Sequence, residues 1–294
     1  MTNAICLNEN YSTTKLLSRD NFILGKRAED ISETILFSPK SKEGGGLRTQ
    51  GYFKKSYDDK QLVTVITVVY NGEDYLEETI LSVINQTYDN VEYIIIDGGS
   101  TDGTLEIIKK YENQIDYWLS EQDEGIYDAM NKAATTATGD YINFMNAGDF
   151  FNNTDIINSI SDSLIEDFVY GNHIIVSEDN TENSYADVKN YSDKRNIPFC
   201  HQSLFERRSC LLQHPFNTNY KIAADYDHYL NCIHNGASFK HVPITVSKFL
   251  DGGLSMSSRK NLIKEYYQTT KRFYPYSAVS IYIIRLIKFY LLGK

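Results

Sequence analysis

Seven apolar or β-branched residues in a row, Val63 to Val69, end abruptly at Tyr70-Asn71-Gly72. A second run, Ile94-Ile95-Ile96, ends at Asp97-Gly98-Gly99-Ser100. Runs without polar alternation mark strands buried on both faces, as in a parallel sheet. Between them Leu76, Ile80, Val83 and Ile84 recur at helical spacing and form one apolar face. The three segments make a βαβ unit with two polar loops on one edge. Ligands of open α/β sheets bind in the crevice beyond the carboxyl ends of the strands. Asp97 is expected there, beside glycines that let a ligand approach the backbone.

The alternation continues down the chain. Leu105, Ile108 and Tyr111 predict a helix, Tyr117-Trp118-Leu119 a short strand, and Ile126 to Ala137 a helix stopped by Gly139-Asp140. Tyr141 to Met145 reads as a strand whose loop is Asn146-Ala147-Gly148-Asp149. Ile156, Ile157, Ile160 and Leu164 predict another helix. Phe168–Tyr170 and His173–Val176 read as two separate strands, and a helix carrying Leu230 and Ile233 follows Ala224-Asp225-Tyr226-Asp227. This order predicts an α/β domain with a mostly parallel sheet and a mixed second half, spanning residues 61–256. Residues 1–60 read as an irregular arm, with a flexible turn at Lys42 to Arg48. Residues 257–294 read as a helical tail.

Charge adds a second division. The 294-residue chain has a net charge of -10 and 41% hydrophobic residues, enough for a core. Residues 61–256 hold 11 basic and 30 acidic side chains, whereas residues 257–294 hold 8 basic and 1 acidic. The acidic body argues against nucleic acid as a partner. The basic tail, rich in Ile, Leu and Tyr from Ser277 to Leu292, is too short and charged to span a bilayer. It suits an amphipathic helix on an anionic membrane surface, or a helix docked on the core or on a subunit of a homo-oligomer. Four cysteines without paired or zinc-type spacing, and a polar N-terminus without a signal-peptide core, lead us to expect a reduced, cytoplasmic protein.

The loop segments bring in the chemistry. Thr67 to Gly72, Asp97 to Thr104, Ser120 to Lys132, Asn143 to Asp149, His201-Gln202, Ala224 to Asp227 and Gly252 to Ser255, in this order, resemble a family 2 glycosyltransferase with the Rossmann-like GT-A fold, of the bacterial surface-polysaccharide type. The resemblance implies inverting transfer of a sugar from a nucleotide-diphosphate donor, UDP-linked by preference, to a glycan or lipid-linked acceptor. It implies nucleotide contacts at Val69, Tyr70, Asn71, Asp97, Gly98, Asp128, Asn131, Lys132, Asn146 and Ala147. Tyr70 offers a flat face for a base, and Asp97 can accept from a ring N–H.

Asp102 reads as a helix cap. The resemblance makes Asp225 the base that removes the acceptor proton. Gln202 and Asp227 are expected to face the acceptor, and Gly253 and Ser255 to lie on a loop closing over the donor. Family members hold Mn²⁺ or Mg²⁺ through an acidic cluster. Here Asn146-Ala147-Gly148-Asp149 keeps one acid, so Asp149, with His201 as an added ligand, is the expected metal site. Two other classes share parts of this pattern. A nucleotidyltransferase would usually show a glycine-rich basic phosphate loop, which is missing. A non-catalytic sugar-binding protein would fit the reduced acidic motif.

Overall fold

The computed structural model describes residues 4–6, 16–18, 43–177, 182–185, 199–250 and 259–292. At its centre lie β4 (Val63–Val69) and β5 (Val91–Asp97), every residue of both strands buried. Their side chains alternate between two cores. Val63, Val65 and Val69 face α1 (Leu76–Ile84) on one side; Ile66, Val68, Ile94 and Ile96 face α3 (Ile126–Thr136) on the other. This two-sided burial is why the runs lack polar alternation.

Parallel pairing runs through β6 (Tyr117–Ser120), β5, β4 and β7 (Tyr141–Phe144). Beyond β7 the sheet is mixed. It continues through β11 (Leu204–Arg207), β9 (Phe168–Val176) and β12 (Phe239–Leu250) to β8 (Asp149–Phe151). Among the described strands of that half only β9 and β12 pair in parallel, with register shifts near Thr245. The shorter helices are α2 (Thr104–Lys110), α4 (Ile156–Ser161) and α5 (Arg208–Gln213). β10 (Glu182–Tyr185) pairs with β9, and β1 (Ala4–Cys6) pairs with β2 (Leu16–Ser18).

Two expectations need correction. Phe168–Tyr170 and His173–Val176 form one strand, because Gly171 continues it where a Cβ would strike the Ile244 carbonyl. The supposed flexible turn is an edge strand, β3 (Glu43–Gly45), paired antiparallel with β6. Its glycines serve close packing. A Cβ at Gly45 would lie 2.7 Å from Trp118 Nε1, and Gly46 adopts φ 98° against the Ile115 and Asp116 carbonyls. Residues 43–60 therefore pack onto the sheet, with Leu47, Arg48 and Lys54 buried.

The tail divides in two. α7 (Arg259–Phe273) packs on α6 (Ala224–His234), and α8 (Ala278–Leu292) packs on α7. Glu265, the single acid of the tail, accepts from the Lys221, Ile222 and Ala223 amides at 2.9 Å each. These amides lie in the turn entering α6, so α7 fixes the start of that helix.

Candidate active site

The carboxyl ends of β4, β5, β6 and β7 deliver four loops to one edge. The first two are stitched together. Asn71, at φ 49°, donates its amide to Ser100 Oγ (2.7 Å) and accepts from Thr101 N (2.9 Å). Gly72 N reaches Thr104 Oγ1, and Asp102 accepts from the Glu73 and Thr104 amides; the N-cap position of α2 is Gly103, so Asp102 ties the two loops to the helix start without being its cap. Tyr70 stands beside this seam and is 65% exposed, so its ring is free to take a flat partner.

Asp97 is placed differently from expectation. It is fully buried, and its oxygens accept from the Gly99 and Ser100 amides, Ser100 Oγ and Ser120 Oγ. The carboxylate holds the loop and offers no free face to a base. Gly98 N donates to the carbonyl of buried Val69, and Asp123 lies over Gly98 where a Cβ would sit.

Four more residues expected at the site are engaged within the protein. Asn131 exchanges two hydrogen bonds with the Phe216 backbone, at 2.8 and 2.9 Å. Lys132 pairs with buried Glu121 and lies 3.9 Å from Asp128, whose Oδ2 accepts from Glu124 N. Asp227, expected at the acceptor, is 2% exposed and points the other way. It accepts from Arg272 of α7 at 3.0 and 3.1 Å. Gly253 and Ser255 lie outside the described residues.

The remaining groups converge. Asn143 of β7 donates to the Gln202 and Leu204 carbonyls and so anchors the turn His201–Ser203. From that turn His201 Nε2 meets Asn146 Nδ2 at 3.2 Å, and Gln202 Nε2 donates to Asp149 Oδ2 at 3.1 Å. Burial pushes His201 down to about 4, so the ring is neutral at pH 7. With Asn146 donating to Nε2, the ring proton is assigned to Nδ1, 3.9 Å from Asp225 Oδ2. Asp225 lies in the first turn of α6, and the N-cap position is Ala223, so Asp225 does not act as the cap. Tyr127 of α3 donates to the Ile222 carbonyl (2.6 Å) and reaches Asp225 Oδ1 at 3.3 Å. Burial raises Asp225 to about 6.

Asp149 sits where the Asn146–Asp149 loop turns back into β8. Thr79 of α1 ties this loop, donating to the Asp149 carbonyl and accepting from Gly148 N. Gly148 adopts φ 94°, a conformation an aspartate would hold only under strain, which accounts for glycine in place of an acid here. Burial pushes Asp149 up to about 7 against the help of Gln202 and the loop backbone. Asn146 Oδ1 is buried without a hydrogen-bond partner. Among the described residues, no three His, Cys, Asp or Glu side chains form a ready metal-binding group. A carboxylate short of positive charge and an unpaired amide oxygen in the same loop nevertheless suit a divalent cation that draws its other ligands from a diphosphate, and the neutral His201 ring joins them where Nε2 is released from Asn146.

Sequence reading missed Thr79, Asn143, Tyr127 and Glu265, all of which position the site. Only Asn143 and Tyr127 lay inside quoted segments, where the polar residue on a buried strand and the tyrosine at a helix start were available signals.

The mixed sheet and its loop edge define an α/β fold whose ligand crevice lies beyond the carboxyl ends of the strands. The model of glycosyl transferase family 2 matches residues 64–213. The chain belongs to that family and is a glycosyltransferase. It is 31% identical over 204 residues to the PGL/p-HBAD biosynthesis glycosyltransferase of Mycobacterium tuberculosis (strain ATCC 25177 / H37Ra), covering 66% of this chain and 79% of that one. An uncharacterized glycosyltransferase of Haemophilus influenzae is 34% identical over 122 residues, 40% of this chain and 46% of its own length.

The GT-A fold is seen in S. aureus TarS 1-349 in complex with UDP-GlcNAc, with a TM-score of 0.60 and 19% identity, covering 77% of this chain and 66% of that chain. It is seen again in the mannosyltransferase PcManGT from Pyrobaculum calidifontis in complex with GDP-Man and Mn²⁺. That TM-score is 0.56 with 18% identity, over 74% and 65% of the two chains. This chain spans about two thirds of each of these two solved chains.

Proposed function

We propose that the protein is an inverting glycosyltransferase that moves a sugar from a nucleoside-diphosphate donor, UDP-linked by preference, to a hydroxyl of a glycan or lipid-linked acceptor. Its place is the cytoplasmic face of a membrane, in the synthesis of a surface polysaccharide or glycolipid. The observation that carries the reading is Asp225. It is a partly buried carboxylate near His201 and the Asn146–Asp149 loop, with no cationic side chain paired to it among the described residues.

The acceptor oxygen attacks the anomeric carbon from the face opposite the leaving group. The bond from that carbon to the diphosphate oxygen breaks, and its electron pair leaves with the phosphate. The hydroxyl proton passes to Asp225. Tyr127 and the start of α6 hold the carboxylate in place, so proximity supplies much of the effect. Tyr70 stacks a base, Asn71, Asn146 and Ala147 line the ribose side, and Asp149 with His201 would hold a divalent cation. When bound, such an ion offsets the charge growing on the departing diphosphate.

The test is turnover of a panel of UDP- and GDP-sugars, with Asp225→Asn beside the wild type. The expected result is donor turnover by the wild type and a fall of about 10²-fold or more in kcat for the variant, with nucleotide affinity retained. Equal kcat removes Asp225 from the role. Donor binding without turnover on any acceptor supports the sugar-binding reading instead.

A further inference from the structure

Beyond the active site, the described surface carries one concentrated run of exposed aliphatic side chains, and it lies on α8. Val279, Ile283, Ile284 and Ile287 are 56, 49, 53 and 50% exposed. At 100° per residue they span a single side of the helix, and Tyr276 is fully exposed in the turn before it. The opposite side is occupied. Ala278 is buried, Tyr282 packs on Tyr267 of α7, and Arg285 lies over the rings of Tyr226 and Tyr266 at 5.4 and 4.5 Å. The helix is thus fixed to the body by one face and presents a bare aliphatic face to the outside.

The charge beside that face is one-sided. Lys260, Lys264 and Lys271 are exposed on α7 and fall within a 40° arc by the same helical geometry. Tyr267, which touches α8, lies on that side too, so the lysines flank α8. Residues 257–294 carry 8 basic and 1 acidic side chain on a protein of net charge -10. A second copy of so acidic a body would be repelled at long range, whereas an anionic lipid surface attracts the lysines and takes up the aliphatic side chains. No helix among the described residues is long and apolar enough to cross a membrane.

We propose that α7 and α8 together form a docking surface for an anionic bilayer, with α8 lying in the plane of the interface. The contact also orients the site. Arg285 of α8 is stacked on Tyr226, the residue after the base Asp225. A docked α8 therefore holds the base close to the lipid surface and selects an acceptor carried by a lipid over one free in solution. This rests on the transfer reading above and names its acceptor class.

The experiment is co-sedimentation of the full chain with vesicles of phosphatidylglycerol and phosphatidylcholine, or of phosphatidylcholine alone, at low and high salt. Ile283→Glu/Ile287→Glu and Lys264→Glu/Lys271→Glu serve as variants, with urea unfolding to confirm that each is folded. The expected result is binding to the anionic vesicles, release by high salt, and at least tenfold weaker binding for both variants. Nucleotide affinity in solution should be unchanged. No binding by the wild type, binding to phosphatidylcholine alone that ignores salt, or retained binding by both variants would overturn the proposal. So would a dimer that the isoleucine variant abolishes, since a second copy would then cover the face. Vesicle binding by Asp225→Asn and donor turnover without vesicles are read separately, so failure of docking and failure of the transfer reading are distinct.

Discussion

A partly buried carboxylate without a cation opposes folding in proportion to its pKa rise. Asp149 is raised from its ordinary 3.8 to about 7 by burial. Its folded-state pKa exceeds the unfolded one, so protonated Asp149 favours the native state below about pH 4. That contribution is lost as pH rises through about 7. In EDTA, the wild type should lose roughly 1–3 kcal/mol more stability between pH 4.5 and 7.5 than Asp149→Asn does, after allowance for solvent screening. Urea midpoints at the two pH values measure it. Mn²⁺ with UDP should then raise the wild-type midpoint at pH 7.5 and leave the variant's unmoved; equal shifts in both would take the ion away from Asp149. Asp225 adds a second signature. A base must be ionised, so kcat should rise with pH through about 6 in the wild type, and a flat profile from pH 5 to 8 would count against it. At this scale the sequence was half legible. It named the polar residues at the strand ends, but not their partners. Asp97 is taken by Ser120, Asn131 by Phe216 and Asp227 by Arg272, each far along the chain.

The start of α6 shows how elements, more than single residues, place the base. Glu265 of α7 closes the turn before it, and Arg272 of α7 holds Asp227 on its inner side. Behind it, His228 and Glu206 are both buried and paired at 2.8 Å, joining α6 to β11. Burial disfavours a charged His228, yet the Glu206 carboxylate beside it outweighs that and raises the ring above the ordinary imidazole range. Arg272→Ala strips the cation from a carboxylate that is almost wholly buried, although the arginine itself is half exposed. The expected cost is about 1–2 kcal/mol, below that of a fully buried pair because solvent screens the guanidinium. The double variant with Asp227→Asn should regain part of it. Chemical unfolding of the four proteins in this cycle gives the coupling, and zero coupling would mean that the two helices are held by Glu265 and their aromatic contacts without help from this ion pair. The helix at Ala224 was legible from Leu230 and Ile233. Its dependence on α7 was not, because the tail's excess of basic residues drew the eye to its surface charge and away from Glu265 and Arg272.

At the scale of the whole molecule, residues 43–60 run along the edge of the sheet from Ser120 to its far end, away from the active loops. Arg48 pairs with Glu92, and Lys54 pairs with Asp116 at 2.7 Å; all four side chains are almost wholly buried. The two pairs differ in balance. Burial pulls Lys54 down and Asp116 up, each toward its neutral form. Glu92 is also opposed by burial, but Arg48, with hydrogen bonds from Thr138 and Thr64, holds its carboxyl below the usual range. Arg48 further donates to the Thr136 carbonyl, so one guanidinium joins the β3 segment, β5 and the end of α3. None of this was readable from composition, since the partners stand 44 and 62 residues away and residues 43–60 themselves read as an irregular arm. The βα alternation, set by local periodicity, was readable throughout the parallel half. Arg48→Met fills similar space but leaves Glu92 charged and buried without its cation, a change that costs about 3–5 kcal/mol in buried pairs. We therefore expect Arg48→Met to lower the urea midpoint sharply, and Arg48→Met/Glu92→Gln to recover much of the loss. Nucleotide affinity of whatever fraction stays folded should be intact, because the pair lies at the opposite end of β5 from Asp97. A midpoint equal to wild type in Arg48→Met would show that residues 43–60 are an attached arm and that the domain begins at β4.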